Sequence, residues 1–242
     1  MGILPKTKHV PETGMPSQIK MLVEGKSKAG KTTFAASWPE TLLIECEKGG
    51  GSQVSCAMLD LTKGKDPLKG LRMAIEELKT DTTFQTVILD TIDSLAEMVE
   101  QEICRDMGIQ TIAEAPKGAR HGAQWTRYAN EITGIVSALI SLPKHVIILG
   151  HTKPASYDDN GGLKSEEGLD IYGRAARILY ARIDNIGHIY VARKGSGTVS
   201  VLSFKGGADC TRGSRHPALR DKEIILPREN GFEVFKTLFN NN

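Results

Sequence analysis

The sequence has few of the features that are typical of secreted proteins, of small domains stabilised by a metal, or of membrane proteins. Its cysteines, Cys46, Cys56, Cys104 and Cys210, are scattered and form no C-x-x-C pair, which excludes a zinc knuckle and a disulfide scaffold. No apolar run is long enough to predict a membrane span. Residues 1–18 also lack the apolar stretch of a secretory signal. We therefore expect a cytoplasmic protein with reduced thiols and no membrane partner.

The sequence also lacks an excess of either charge. It has 31 Lys and Arg against 29 Asp and Glu, so any basic surface for nucleic acid must come from local clustering. The chain has 242 residues, is 40% hydrophobic and 25% charged, and shows no internal repeat. This composition excludes wholesale disorder, collagen and coiled-coil rods. We predict an N-terminal arm at residues 1–18 and one domain at residues 19–242.

Predicted strands and helices alternate up to residue 150, and this order predicts an α/β fold with a mainly parallel central sheet flanked by helices. The predicted strands are 19–24, 41–45, 86–90, 145–150, 187–192 and 198–204. Helical spacing begins at or near Lys31, Pro67, Ile92, Trp125 and Ile171. A short turn joins the last two strands, so we expect them to be antiparallel.

A glycine-bounded loop follows the first strand and matches G-x-x-x-x-G-K-[ST] at every fixed position. Backbone N–H groups of such a loop surround a phosphate, and the following helix adds a positive partial charge. The alternative, a chance glycine-rich turn, is disfavoured because a strand precedes the loop and a helix follows it. The predicted nucleotide-binding residues are Gly25, Lys26, Ser27, Lys28, Ala29, Gly30, Lys31, Thr32 and Thr33.

An apolar strand ending in Asp90 has the form of a Walker B segment. Parallel strands place ligands at their carboxyl ends, so we expect Asp90 to lie beside the phosphate loop. Thr32 and Asp90 are the predicted Mg²⁺ ligands, Asp90 through water. A carboxylate at this position is also typical of a helix N-cap, and that is the alternative for Asp90.

Nucleotide hydrolysis needs a group that orients the attacking water. Glu45 and Glu47 follow the second strand, and His151 follows the strand that ends at Gly150. The sequence predicts catalytic roles for these residues together with Lys31. His151 is also interpretable as a loop histidine bonded to its neighbours.

This layout resembles the RecA-like ATPase core. The resemblance rests on the phosphate loop after the first strand, Glu47 past the second, Asp90-Thr91 closing the third and His151 closing the fourth. The chain resembles more closely the compact phage-encoded RecA-like proteins, including the RecA-like branch of the Sak-type single-strand annealing proteins. The resemblance implies ATP and Mg²⁺ as ligands, with Glu47 polarising the water and Glu45 as the fallback.

The resemblance also implies that two loops bind single-stranded DNA within an oligomer. The corresponding stretches are residues 111–122 and 153–168, where cations beside an aromatic ring suit phosphate attraction and base stacking. Four acidic residues in the second stretch weigh against this role, and a solvated loop is the alternative. The implied DNA contacts are Lys117, Arg120, His121, Lys153, Tyr157 and Lys164.

RecA-like ATPases assemble head to tail as rings or filaments, and a neighbour supplies a basic residue to the nucleotide site. The candidates are Lys205, Arg212 and Arg215. The chain lacks RecA's large C-terminal domain, so we expect strand annealing in recombination, with a single-strand-binding protein as a possible partner, rather than autonomous strand exchange. Two other functions stay open: a small-molecule kinase and a nucleotide-dependent adaptor such as a helicase loader.

Overall fold

The computed structural model describes residues 13–114, 118, 122–159, 162–165, 167–207 and 210–240. Its strands are β1 (Lys20–Glu24), β2 (Thr41–Glu45), β3 (Ala57–Asp60), β4 (Thr86–Asp90), β5 (His145–Gly150), β6 (Thr152–Lys153), β7 (Ser156–Tyr157), β8 (Leu163–Ser165), β9 (Gly168–Leu169), β10 (Asn185–Lys194), β11 (Gly197–Ser203), β12 (Gly213–Ser214) and β13 (Glu223–Leu226). Its α-helices are α1 (Lys31–Ala36), α2 (Pro67–Leu78), α3 (Ile92–Met107), α4 (Ala123–Ile140), α5 (Gly173–Arg182) and α6 (Gly231–Lys236). Short 3₁₀ helices cover Gly51–Gln53, Leu61–Lys63 and Thr237–Phe239.

The central sheet has the strand order β13-β11-β10-β1-β5-β4-β2-β3, with β12 paired to β10. All pairings from β10 through β3 along this path are parallel. The pairings of β10 with β11 and of β11 with β13 are antiparallel. The fold-class prediction is therefore confirmed, with antiparallel strands on the C-terminal side of the sheet.

The inner strands are buried on both faces, which explains their continuous apolar sequences. One face packs against a core that contains the apolar sides of α2, α3, α4 and α5. The other face packs against Phe34 and Trp38, which lie in and just after α1, and against Phe235 of α6. Two helix starts follow their sequence signals: Asp66 caps α2 ahead of Pro67, and Thr91 caps α3.

The sheet order determines where the site lies. Strand β5 lies between β1 and β4, so the phosphate-loop strand and the Asp90 strand both flank the strand that leads to His151. The carboxyl ends of β1, β2, β4 and β5 therefore meet at one edge of the sheet.

Two regions differ from the sequence predictions. The segment between the second strand and α2 contains β3, an edge strand that pairs with β2 alone. Ala57 and Met58 are exposed and the other two residues are only partly buried, so this short strand lacks the burial of the inner strands. The predicted loop at 153–168 holds short antiparallel ladders, β6 with β9 and β7 with β8. We call the described parts of strands β6 to β9 the β6–β9 arm.

The predicted N-terminal arm lies mostly outside the described residues, although Met15 packs against the core near α1. The division at residue 18 stays a prediction. Among the described helices, none is long and apolar enough to cross a bilayer.

Candidate nucleotide site

The phosphate loop connects β1 to α1, as its motif predicts. A Cβ at Gly25 would lie 2.2 Å from the carbonyl oxygen of Ile189, so only glycine allows this approach to β10. Gly30 precedes α1 with φ 103°, in the left-handed region that favours glycine. Ala29 is buried, and its carbonyl oxygen accepts a hydrogen bond from Ser200 Oγ at 2.8 Å. Strand contacts on the C-terminal side therefore support the shape of the loop.

Lys31 lies in the mouth of the loop. Its Nζ donates hydrogen bonds to the carbonyl oxygens of Gly25 (2.9 Å) and Lys26 (3.0 Å). The residue is 5% exposed. Burial lowers the pKa of Lys31, and the nearby carboxylates of Asp90, Asp93 and Glu47 oppose that shift. A desolvated ammonium with only carbonyl partners is well suited to attract phosphate.

Thr32 and Asp90 are in direct contact. Thr32 Oγ1 donates a hydrogen bond to Asp90 Oδ2 at 2.7 Å. Asp90 is 1% exposed, and burial raises its pKa, although the Thr32 hydrogen bond lowers it. Asp90 is not the N-cap of α3, because Thr91 caps that helix.

A cavity of about 870 Å³ opens at this edge of the sheet. On the far side it is bounded by a second glycine-rich loop, residues 48–53, for which the sequence predicts no role. A Cβ at Gly50 would lie 3.0 Å from Asp90 Oδ2, so glycine keeps space open beside that carboxylate. The lining residues are Ser27, Lys28, Gly30, Lys31, Thr32, Thr33, Glu47, Lys48, Gly49, Gly50, Ser52, Gln53, Asp90 and His151.

The two candidate water-orienting glutamates have different surroundings. Glu47 lines the cavity, and its Oε2 accepts a hydrogen bond from Ser94 Oγ at 3.2 Å. Glu45 is buried, and its Oε1 accepts from the backbone N–H of Gly51 at 2.8 Å. Glu45 therefore holds the second glycine-rich loop in place, and the geometry favours Glu47 as the group that faces a ligand.

His151 also lines the cavity, but its position depends on Asp93. The backbone N–H of His151 donates to Asp93 Oδ1 at 2.8 Å, and its Nδ1 lies 2.8 Å from Asp93 Oδ2. The sequence analysis assigned no role to Asp93. The signal for one was its place in the first turn of α3, directly after the strand that carries Asp90.

The predicted DNA contacts fall into two groups. Lys117, Arg120 and His121 lie outside the described residues. In the β6–β9 arm, Tyr157 and Lys164 are exposed, and Tyr157 lies opposite the exposed Leu163. Lys153 donates from Nζ to the carbonyl oxygen of Ile171 at 3.2 Å, so this lysine is bonded at the base of the arm.

The three candidates for a trans-acting cation have partners within the chain. Arg212 is held most firmly, because its Nε donates to Glu24 Oε1 at 2.9 Å and its side chain is only 12% exposed. Lys205 lies 3.5 Å from a Glu223 carboxylate oxygen, and Arg215 bonds Asp184. Lys205 and Arg215 keep exposed side chains, whereas Arg212 is placed to bind inside its own subunit.

The site residues fit Mg·ATP by their donor chemistry. The loop supplies backbone N–H groups and an ammonium for phosphate oxygens, while Thr32 and Asp90 supply the hydroxyl and carboxylate oxygens that Mg²⁺ prefers. Glycine at residue 50 leaves space beside the Asp90 carboxylate, and the side-chain methyl group of an alanine there would fill part of it. Glu47 and His151 line the same cavity as these donors.

Comparisons with known proteins identify a family and a relative for this chain. A family model described as an AAA domain matches residues 17–216. The SPbeta prophage-derived uncharacterized protein YorG of Bacillus subtilis (strain 168) is 22% identical over 130 residues, which is 53% of this chain and 39% of that protein. The chain thus spans about two fifths of the length of that relative.

Two solved structures align with most of this chain at TM-scores below 0.5. A KaiC-like protein from Pyrococcus horikoshii OT3 aligns with a TM-score of 0.47 and 12% identity, covering 86% of this chain and 85% of that one. The RadB recombinase aligns with a TM-score of 0.44 and 14% identity, covering 88% of this chain and 89% of that one.

Proposed function

Because the chain belongs to the AAA domain family, we propose that it is a RecA-like ATPase that binds Mg·ATP at residues 25–33 and hydrolyses it. The observation that carries this proposal is the 2.7 Å hydrogen bond between Thr32 and Asp90 at the mouth of the phosphate loop. It brings the two predicted metal ligands together from positions that are 58 residues apart in sequence.

Each residue has a separate task in the proposed reaction. Lys31 exchanges its carbonyl partners for phosphate oxygens, while the loop amides hold the phosphate chain. Thr32 and Asp90 hold Mg²⁺, which when bound supplies charge neutralisation at the phosphates. Glu47 would orient the attacking water, and Asp93 holds His151 at the wall of the same cavity. Positioning and electrostatics thus provide most of the catalysis.

We further propose that the protein binds single-stranded DNA and promotes annealing in phage recombination. The support is the β6–β9 arm, which follows His151 directly and exposes Tyr157 and Lys164. An exposed aromatic ring and an exposed cation on the same short ladder suit base stacking and backbone attraction. The prophage origin of one relative is compatible with action in a host cytoplasm, with a single-strand-binding protein as a partner.

The proposed assembly is a head-to-tail ring or filament in which a neighbour supplies a cation to the nucleotide site. Lys205 and Arg215 are the better candidates because their side chains are exposed, whereas Arg212 is mostly buried between Glu24 and Glu167. An adaptor that binds ATP tightly without turnover is the alternative that shares the same phosphate loop.

The test is the ATPase rate with and without single-stranded DNA, paired with electron microscopy of the same samples. We expect DNA to raise turnover and nucleotide to induce rings or filaments. ATP binding with negligible turnover at every DNA concentration would favour the adaptor. Transfer of labelled phosphate to a nucleoside would favour a kinase.

A further inference from the structure

A buried ionic cluster lies directly beneath the phosphate loop, outside the nucleotide cavity. Glu24 is the last residue of β1, immediately precedes Gly25 and is fully buried. Its Oε1 accepts from Arg212 Nε at 2.9 Å, and its Oε2 accepts from the Tyr180 hydroxyl at 2.7 Å. Both oxygens of this carboxylate are thus bonded to side chains that are more than 150 residues away in sequence.

The same two partners hold the returning strand of the β6–β9 arm. The Tyr180 hydroxyl accepts from the backbone N–H of Leu169 at 2.8 Å. Arg212 Nη2 lies 2.9 Å from Glu167 Oε2, and Glu167 also forms a backbone bridge with Cys210. We call Glu24, Tyr180, Arg212 and Glu167 the Glu24 cluster.

The outgoing strand of the arm has a separate anchor in the nucleotide cavity. It starts directly after His151, whose backbone N–H and ring nitrogen both contact Asp93. The two strands are joined at their base, because β6 pairs with β9 and the N–H of Asp170 donates to the carbonyl oxygen of His151 at 3.0 Å. The base of the arm is therefore held at two places. Asp93 bonds His151 at the nucleotide cavity, and the Glu24 cluster bonds the returning strand next to the phosphate loop.

A contribution to stability does not by itself account for this cluster. A buried ion pair loses hydration on folding, and well-packed apolar residues often stabilise a core equally well. The cluster adds directional hydrogen bonds. These bonds hold α5, strand β9 and the segment that carries Arg212 in fixed positions relative to Glu24, which precedes the loop. The fit is tight, since a Cβ at Gly168 would lie 2.7 Å from the Tyr180 hydroxyl oxygen.

We propose that Glu24, Tyr180 and Arg212 are positioning residues that couple the phosphate loop to the β6–β9 arm. Nucleotide bound at the loop then orders the arm through Glu24. By thermodynamic reciprocity, a ligand held by the arm changes nucleotide affinity by the same factor. This inference rests on the proposed function only in requiring that the loop binds a nucleotide.

The sharpest variants are Tyr180→Phe and Gly168→Ala. The first removes one hydroxyl that bonds both Glu24 and Leu169, and the second displaces that hydroxyl by steric contact. Gly173→Ala is the matched control, because a Cβ at this first residue of α5 meets nothing within 4 Å. Arg212→Ala leaves Glu24 buried without its cation, so folding is checked first for that variant.

Hydrogen exchange of the full-length protein, measured by mass spectrometry with and without saturating Mg·ADP, tests the coupling. In the wild type and in Gly173→Ala, we expect Mg·ADP to slow exchange in β8 and β9 by at least about five-fold, the lower end of typical coupling. In Tyr180→Phe and Gly168→Ala, we expect slowing under about two-fold, with Mg·ADP affinity by calorimetry within about three-fold of wild type.

Equal slowing in the variants and the wild type would overturn the coupling. A wild type that binds Mg·ADP without any change in β8 and β9 would overturn it as well. Failure of the wild type to bind Mg·ADP is a different result, because it would overturn the proposed function and the coupling together.

Discussion

The nucleotide cavity and the β6–β9 arm lie at the same edge of the sheet, yet they are built differently. In the cavity, Lys31, Thr32 and Asp90 belong to or directly follow core elements and are bonded to one another or to the loop. In the arm, the β7–β8 ladder exposes Tyr157 and Leu163. The sheet thus holds the side chains of the cavity in place, whereas the exposed β7–β8 ladder is joined to the core through the base of the arm.

The first way to break this comparison is to remove the phosphate-binding ammonium. Lys31→Ala should lower ATP turnover by at least about 100-fold, because that charge acts where negative charge develops. Lys79→Ala is the lysine control, since Lys79 is exposed and lies outside the residues that line the cavity. Steady-state ATPase assays provide the measurement, and similar losses in the two variants would contradict the role of Lys31.

The second prediction separates the two glutamates. Glu47→Gln should lower kcat by about 100-fold while ATP affinity stays near wild type, because only water orientation is lost. Glu45→Gln should mainly lower stability, since its carboxylate accepts from Gly51. Single-turnover kinetics and thermal unfolding distinguish them. A larger kcat loss in Glu45→Gln would reassign the catalytic role to the fallback residue.

The third prediction addresses the arm. Tyr157→Ala should weaken single-stranded DNA binding by about ten-fold, the scale of losing one base stack. ATP affinity without DNA should not change, because the side chain is exposed and lies outside the cavity. Fluorescence anisotropy at low salt measures the effect, with Tyr172→Ala as an exposed tyrosine outside the arm for comparison. Equal DNA affinity in all three proteins would remove Tyr157 from the DNA surface.

The smallest expected effect is on stability as a function of pH. Burial, with the Arg212 charge as the next cause, lowers the pKa of His188 to about 4. Lys31 and Lys26 lower it further, whereas the Glu167 carboxylate opposes the shift. The unfolded state therefore binds more protons between about pH 6.5 and 4, so stability falls as pH falls through that window and is full above it. The loss is on the order of 1–3 kcal/mol.

His188→Gln should flatten this pH dependence. Urea unfolding of both proteins at pH 7.5, 6, 5 and 4 provides the measurement. An unchanged difference in stability between wild type and variant across that range would show that His188 is not the group responsible.

The position of Asp90 beside the phosphate loop could be expected from the sequence because it follows from local motifs. A glycine at residue 25 and a carboxylate at residue 90 each sit at the end of a buried strand, and parallel pairing brings such ends together. Because both strands are buried and apolar, their predicted boundaries agree with the observed ones to within one residue.

The sequence could not predict contacts that depend on distant, irregular segments. In the sequence, Arg212 is one basic residue in a polar stretch, and nothing near it indicates a partner. The structure shows that it bonds Glu24, which is 188 residues away in sequence. The acidic residues and central glycines of the 153–168 stretch read as a loop, so the short ladders of the arm were missed. Edge strand β3 was missed because its side chains are exposed or only partly buried.

Isothermal titration calorimetry of Mg·ATP into the wild-type protein and into Asp90→Asn tests the central claim most directly. The account predicts one site in the wild type whose affinity depends on Mg²⁺. In Asp90→Asn, which keeps an oxygen for Thr32, that Mg²⁺ dependence should largely disappear. No heat of binding in the wild type, or the same Mg²⁺ dependence in both proteins, would contradict a nucleotide site in which Thr32 and Asp90 share the metal.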